Sequence, residues 1–405
     1  MRLDSAVFLA PELTKALKRL GIAPETVARV ETVHGGLSAA QVLRLWLREP
    51  AAAHGQGAAA TVMRIVKLIP PGVGWLAEVS GDVQAREVRL LSTGLLADVP
   101  RRIQTGALAW AEAEDASEDT DTDGVIGVPH AALLMRDLRS RLLPTPYRAP
   151  SGRLPADMLF LFDRLAELHA RFWNDPRLAD PALGLVTPQT ALLMFAPDDI
   201  HARLAQGDLH PYLPLADAGW QAFFTLAAPE AAEILRGVLH DPEPVLAAIN
   251  RLPQTLLHGD VWGPNMGFLP ATRRWPQRGA ALLLIDWALA TIGPATYDAL
   301  WVCSEAPTLD PRRLLAAYRA SLTRRLARRN IRLGPTLWRA LADAAYLRTT
   351  ITGGEVFGRT VSDAKSPALR RRAEARARWW ADRAALAAQR LTRLATHVAD
   401  PDECD

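Results

Sequence analysis

Hydrophobic and polar positions alternate over three early stretches, Val27–His34, Gln41–Leu47 and Thr61–Ile69, each rich in Val, Ile or Leu. A period of two predicts strands with one face turned to a core. Residues 11–26, ahead of them, read as a short helix and a connection. His34-Gly35-Gly36-Leu37-Ser38 is a hairpin-type turn signal between the first two strands, and the Gly/Ala-rich Ala51–Ala60 is a loop before the third. Over Asp82–Leu96 the spacing becomes helical: Val83, Val88, Leu91 and Leu95 can share one face, with Glu87 mid-helix. Two more strand candidates, Arg102–Ala109 and Val125–Met135, flank the acidic stretch Glu112–Asp123. From Leu154 onward the pattern is helical with proline-marked breaks, apart from a strand-like run at Ala280–Trp287.

A strand-rich segment with one helix, followed by a larger helical segment, is an α+β order. The boundary falls in the turn-rich residues 136–152. A length of 405 residues, 49% of them hydrophobic, allows two or three packed units.

Composition narrows the classes. The only cysteines, Cys303 and Cys404, have no metal-ligand spacing and suit a reducing cytoplasm. The start MRLDSAVFLAPELTK has no apolar run behind a basic head, and ALLLIDWALATIG is too short to span a bilayer and is cut by Asp286. A cytoplasmic protein with no membrane partner is expected. Net charge is only +3, although residues 311–396 carry about 20 Arg and Lys against about 5 Asp and Glu. No nucleic-acid motif accompanies that excess, which reads as solvated helical faces without a nucleic-acid partner. Arginine is the default surface cation here; lysine occurs only as Lys15, Lys18, Lys67 and Lys365. A lysine inside the apolar run VMRIVKLI is therefore informative.

Two motif matches fail on context. Gly72-Val73-Gly74-Trp75-Leu76-Ala77 fits a dinucleotide-binding pattern, but two prolines precede it and the acid at the right distance, Glu87, lies in a helical pattern. Asp119–Gly124 fits half a calcium loop, but its twelfth position is His130 instead of glutamate.

One constellation keeps its chemistry. His258-Gly259-Asp260-Val261-Trp262-Gly263-Pro264-Asn265 reads H-x-D-x-x-x-x-N, a run that chance would give in about one chain in fifty. The aspartate can take a proton from an attacking hydroxyl, and an asparagine five residues on can offer a hard carbonyl oxygen to magnesium. Downstream, Asp286 ends the apolar run Leu283-Leu284-Ile285, where an unpaired carboxylate is costly and a divalent cation would satisfy it. The turn Gly293–Asp298 follows and leads to a helix, with Asp298 placed to cap or brace.

HGDVWGPN followed by LLLIDWALATIGPATYDAL resembles the catalytic and metal-binding segments of the aminoglycoside phosphotransferase and choline kinase superfamily, the protein-kinase-like small-molecule kinases. The resemblance covers roughly residues 27–305. It implies a two-lobed α+β fold: an N-terminal nucleotide-binding lobe over 1–138, with an antiparallel sheet and one helix, and a helical catalytic and substrate lobe over 139–405. It implies ATP and magnesium, with Asp260, Asn265 and Asp286 catalytic and the last two also metal ligands. Gly35, Gly36 and Ser38 resemble the nucleotide-covering loop, Lys67 the phosphate-binding lysine, and Glu87 the helix glutamate that pairs with it. Leu133–Leu138 resembles the hinge, which makes Arg136 and Leu138 cofactor-binding positions. Leu165–Trp173 resembles the first large-lobe helix, with His169 a satisfied internal histidine and His258 a loop-fixing one. The chain departs from the family pattern in the inserted TRRWPQRG between Asn265 and Asp286, in Arg136 where an acid is common, and in its compact glycine loop.

The activity implied is transfer of the γ-phosphate of ATP to a hydroxyl of a small molecule. Trp262, Trp301 and Glu305 are candidate acceptor-lining residues, and Asp198, Asp199 and Asp208 would suit a cationic acceptor. The alternatives are a weak or inactive kinase-like binding protein, a nucleic-acid-associated protein, and a kinase acting on an amine.

Overall fold

The three alternating stretches are strands in the computed structural model of the chain, which describes residues 9–33, 38–48, 61–112, 131–143, 156–269, 281–305 and 310–396. Gly35, Gly36, the Ala51–Ala60 loop, the half calcium loop and TRRWPQRG lie outside the described residues. In chain order the elements begin α1 (Pro11–Arg19), β1 (Val27–Val33), β2 (Gln41–Arg48), β3 (Thr61–Ile69), α2 (Trp75–Ser80), α3 (Arg86–Ser92), β4 (Ile103–Gln104), β5 (Ala107–Ala111) and β6 (Ala131–Arg136). They continue with α4 (Ala156–Arg171), α5 (Pro188–Leu193), α6 (Pro197–Ala205), α7 (Tyr212–Leu226), α8 (Pro229–His240), α9 (Glu243–Arg251), β7 (Gln254–Leu257), β8 (Met266–Leu269), β9 (Ala281–Leu284) and β10 (Thr291–Pro294). Four helices close the chain: α10 (Thr296–Glu305), α11 (Pro311–Ala327), α12 (Pro335–Ser362) and α13 (Pro367–Thr396). The chain divides into two compact units, one of residues 1–142, 181–184 and 266–288, the other of residues 143–180, 185–265 and 289–405.

In the first unit, five strands form an antiparallel sheet in the order β1-β2-β3-β6-β5. Strand alternation gives the sheet two distinct faces. Leu43, Leu45, Val66, Leu68, Ala132 and Leu134 pack beneath Leu13, Ala16, Leu17 and Leu20, the i, i+3, i+4, i+7 stripe of α1 and its cap. Ala131, Leu133 and Met135 face the other way, with Ala85, Val88, Ile65 and Ile69. Lys67 shares the parity of Ile65 and Ile69, which fixes the face from which it emerges.

Two expectations change. The helix over Asp82–Leu96 is confined to α3, because Ala85 is left-handed at φ 54 and the Asp82 carboxylate caps the Arg86 N–H at 2.6 Å. Val83 is accordingly off the helix and 69% exposed, and Glu87 sits in the first turn. The strand over Arg102–Ala109 breaks at Gly106, φ 76, so that β4 joins the small β4-β9-β8 sheet while β5 joins the large one. Helix α2 opens at the rejected glycine motif, after Gly74 at φ 91. The sheet beside it is antiparallel, so no dinucleotide-binding unit is formed.

In the second unit α12 is the spine, packing on α7, α10 and α13. Helix α7 crosses it closely: a Cβ on Gly358 would stand 1.8 Å from the Gly219 carbonyl oxygen, and a Cβ on Gly219 would stand 2.3 Å from that of Glu355. β7 and β10 pair antiparallel, and the His258–Asn265 segment follows β7. Among the described residues no helix is long and apolar enough to cross a membrane.

Candidate active site

In the first unit Lys67, Glu87 and Asp286 converge. Lys67 is buried, and its Nζ lies 2.8 Å from Glu87 Oε2 and 2.7 Å from Asp286 Oδ1. Burial alone would lower the ammonium's pKa, but Asp286 and Glu87 together hold it above the ordinary lysine value. The second Glu87 oxygen accepts the backbone N–H of Trp287 at 3.2 Å. One glutamate thus ties the lysine to the residue after Asp286. Asp286 itself sits at φ 63, a left-handed conformation that aspartate tolerates better than most residues.

The helix carrying Glu87 is tied down by its neighbour. Arg86, 1% exposed, donates to the carbonyl oxygens of Ser80, Gly184 and Ala288. Burial lowers its pKa against the pull of Asp82. Ser38, Lys67, Asp82 and Glu87 line a cavity of about 30 Å³, so Ser38 joins the lysine cluster. Arg136 and Leu138 do not. The Arg136 N–H donates to Gly106 O at 3.1 Å, and Leu138 O accepts from Arg141 at 2.8 Å. Between them Asp137 is held 3.0 Å from Arg44 Nε on β2.

In the second unit the loop after β7 is built around Asp298. Its carboxylate, fully buried, accepts the backbone N–H groups of His258 at 2.8 Å and Gly259 at 3.0 Å. His169 Nε2 is 3.2 Å from the same carboxylate, and His169 Nδ1 is 2.5 Å from the Tyr318 hydroxyl. Burial would raise the Asp298 carboxyl, but the hydrogen bond and charge of His169, together with His258, hold it below the usual aspartate range. Gly259, φ 84, is where the loop turns over; a Cβ there would stand 2.0 Å from Leu289 O. His258 Nδ1 accepts the Asp260 N–H at 3.3 Å. Asn265 Nδ2 donates to Asp260 Oδ2 at 2.8 Å and to Asp260 O at 3.2 Å. The asparagine thereby orients the aspartate, and its amide oxygen is the end turned away from that bond.

Each unit carries an oxygen donor of the hard kind that magnesium takes, the Asp286 carboxylate in one and the Asn265 amide oxygen in the other. Among the described residues no three His, Cys, Asp or Glu side chains form a ready-made metal cluster.

Of the acceptor-lining candidates, Trp262 and Trp301 are half-buried, and the Glu305 side chain lies outside the described residues. Asp199 and Asp208 both pair with Arg203, at 3.3 and 3.6 Å. Asp198 instead lines a separate open groove with His201, Phe224 and Arg236. The sequence reading missed Arg44, Arg86 and Arg348. In an arginine-rich chain a buried arginine carries no mark that separates it from a surface one.

Residues 63–333 match the model of a phosphotransferase enzyme family. Among solved structures, the chain is similar to macrolide 2′-phosphotransferase from Brachybacterium faecium, at 17% identity, 90% and 95% coverage of the two chains and a TM-score of 0.37. It is also similar to choline kinase from Streptococcus pneumoniae, at 13% identity, 88% and 94% coverage and a TM-score of 0.38. A third likeness is to ethanolamine kinase from Plasmodium vivax, at 11% identity, 90% and 83% coverage and a TM-score of 0.43. No curated protein matches the sequence.

Proposed function

The chain belongs to the phosphotransferase enzyme family, a family of small-molecule kinases, and from that premise we propose that it transfers the γ-phosphate of ATP to a hydroxyl of a small molecule with Asp260 as the base. The observation that carries this reading is the convergence of Lys67, Glu87 and Asp286, the first and last 219 positions apart in sequence, on one ammonium. Lys67, steadied by Glu87, holds the nucleotide phosphates. Asp286 and Asn265 would be the residues to hold magnesium, which when bound would offset charge on the phosphate oxygens. Asp260, aligned by the Asn265 amide and by a backbone anchored on Asp298, orients the acceptor hydroxyl and takes its proton. Glycines 35 and 36, with Ser38, cover the phosphates, and the Arg136–Leu138 backbone meets the adenine. Positioning and electrostatics supply most of the rate, because a loose phosphoryl transition state leaves the protein little covalent work.

The test is turnover by Asp260→Ala. The variant should lose phosphate transfer while keeping ATP affinity within about twofold, since the base contacts the acceptor and leaves the nucleotide to other groups. Wild-type turnover in that variant would remove the base assignment. A coupled ADP-release screen over sugars, choline, aminoglycosides and hydroxylated metabolites identifies the acceptor. A chain that binds ATP and releases ADP with none of them, nor with water, would be a binding protein.

A further inference from the structure

Helix α12 brings one more charged group to the catalytic loop, from beyond the 63–333 span that the family model matches. Arg348 is 2% exposed. Its Nη2 donates to the carbonyl oxygen of Gly259 at 3.2 Å. Its guanidinium carbon lies 5.3 Å from the ring centre of Tyr297 and 5.4 Å from that of Trp301, so α10 holds it by two aromatic contacts. Its Nε and Nη1 have no hydrogen-bond partner among the described residues. Burial lowers its pKa, opposed by Asp298, Tyr297 and Asp260.

A buried cation with one hydrogen bond is a poor stabiliser, and an apolar side chain of similar volume would fill the same space at less desolvation cost. Its placement explains it better. Asp298 takes the N–H of Gly259 and Arg348 takes the C=O of the same residue. The residue so pinned from both sides stands at φ 84, and its carbonyl begins the peptide that carries Asp260. We propose that Arg348 is a positioning residue for Asp260: by holding the Gly259 carbonyl it fixes the Gly259–Asp260 peptide and so the direction in which the Asp260 carboxylate is presented. The inference rests on Asp260 being the base. It adds that α12, which bears no catalytic motif, is part of the machinery.

A double-mutant cycle tests it, with turnover read as magnesium-dependent release of inorganic phosphate from ATP, water serving as the acceptor, and corrected for folded fraction. Arg348→Met should lower kcat about a hundredfold, the scale of a small misplacement of a reacting group, with KM for ATP within about twofold. Arg348→Lys should recover kcat to within about tenfold of wild type, since it keeps a charged donor. The double variant Arg348→Met with Asp260→Asn should be no slower than Asp260→Asn alone, because the arginine acts through the aspartate. Wild-type kcat per folded molecule in Arg348→Met, with only the melting temperature lowered, would make the residue merely structural and overturn the proposal. Multiplicative losses in the double variant would overturn it as well. Wild-type turnover by Asp260→Asn would instead strike the base assignment on which it rests. Should Arg348→Met not fold, Arg348→Gln replaces it in the same cycle and is read by the same outcomes.

Discussion

The ammonium of Lys67 stands 2.7 Å from the carboxylate of Asp286, as near to it as to Glu87 at 2.8 Å. A compact point charge on a slim stem serves two carboxylates at once; a planar guanidinium is longer and forked. Lys67→Arg is therefore expected to be as damaging as Lys67→Met, each lowering kcat/KM for ATP by about a hundredfold. Steady-state kinetics at several ATP concentrations checks this, and an arginine variant with near wild-type kcat/KM would contradict it.

The raised pKa of Lys67 has a definite pH signature. The native state keeps this proton where the unfolded chain has lost it, so the pair contributes its full stability below the unfolded lysine value of about 10.4 and loses it as pH rises beyond that. The stability gap between wild type and Lys67→Met should be flat from about pH 7 to 9 and shrink above about pH 10.4. Urea titrations along that series measure it.

Asp298 behaves in the opposite sense. Its folded pKa is depressed, so its contribution is present above the unfolded aspartate value of about 3.9 and disappears as pH falls through the folded one. Asp298→Asn should be less stable than wild type by about 3 kcal/mol at pH 7, the scale of breaking a buried charged network, with the difference narrowing below about pH 3.9. Denaturant melts at pH 7 and pH 3 decide it.

Two glycines on helices should respond with opposite signs. Gly358→Ala forces a methyl onto the Gly219 carbonyl where α7 and α12 cross and should cost at least about 2 kcal/mol. Gly237, exposed on α8, has open space where its Cβ would stand. Gly237→Ala should stabilise by about 0.5 to 1 kcal/mol through helix propensity. Thermal melts of the two variants provide the comparison.

Arg86 gives a prediction about the other unit of the chain. With its guanidinium on the carbonyls of Ser80, Gly184 and Ala288, it holds three segments that a single ammonium cannot reach together. Arg86→Lys should lose about 2 kcal/mol of stability, read by urea denaturation. A neutral result would show that the carbonyls find other partners.

Local pattern determined a good deal of this protein by itself. The alternation of Thr61–Ile69 fixes Lys67 on the face opposite Val66 and Leu68, because a strand's side chains alternate. The short loop His258–Asn265 keeps Asp260 and Asn265 within reach of one another, and both relationships stay within a few residues of chain. Tertiary structure decided the rest. That Glu87 lies in the first turn of α3 follows from a cap by Asp82 and a left-handed Ala85, and the break at Gly106 from pairing with two different sheets, neither of which periodicity records. The place of Asp298 in the turn after Asp286 already marked it as a cap or brace, but Arg86 and Arg348 are buried on backbone carbonyls because segments tens to hundreds of residues apart bring unpaired C=O groups to one place where water is excluded. A buried peptide group must find a partner. Which side chain reaches it depends on the packing of whole elements, and the sequence around an arginine carries no trace of the carbonyl it will meet.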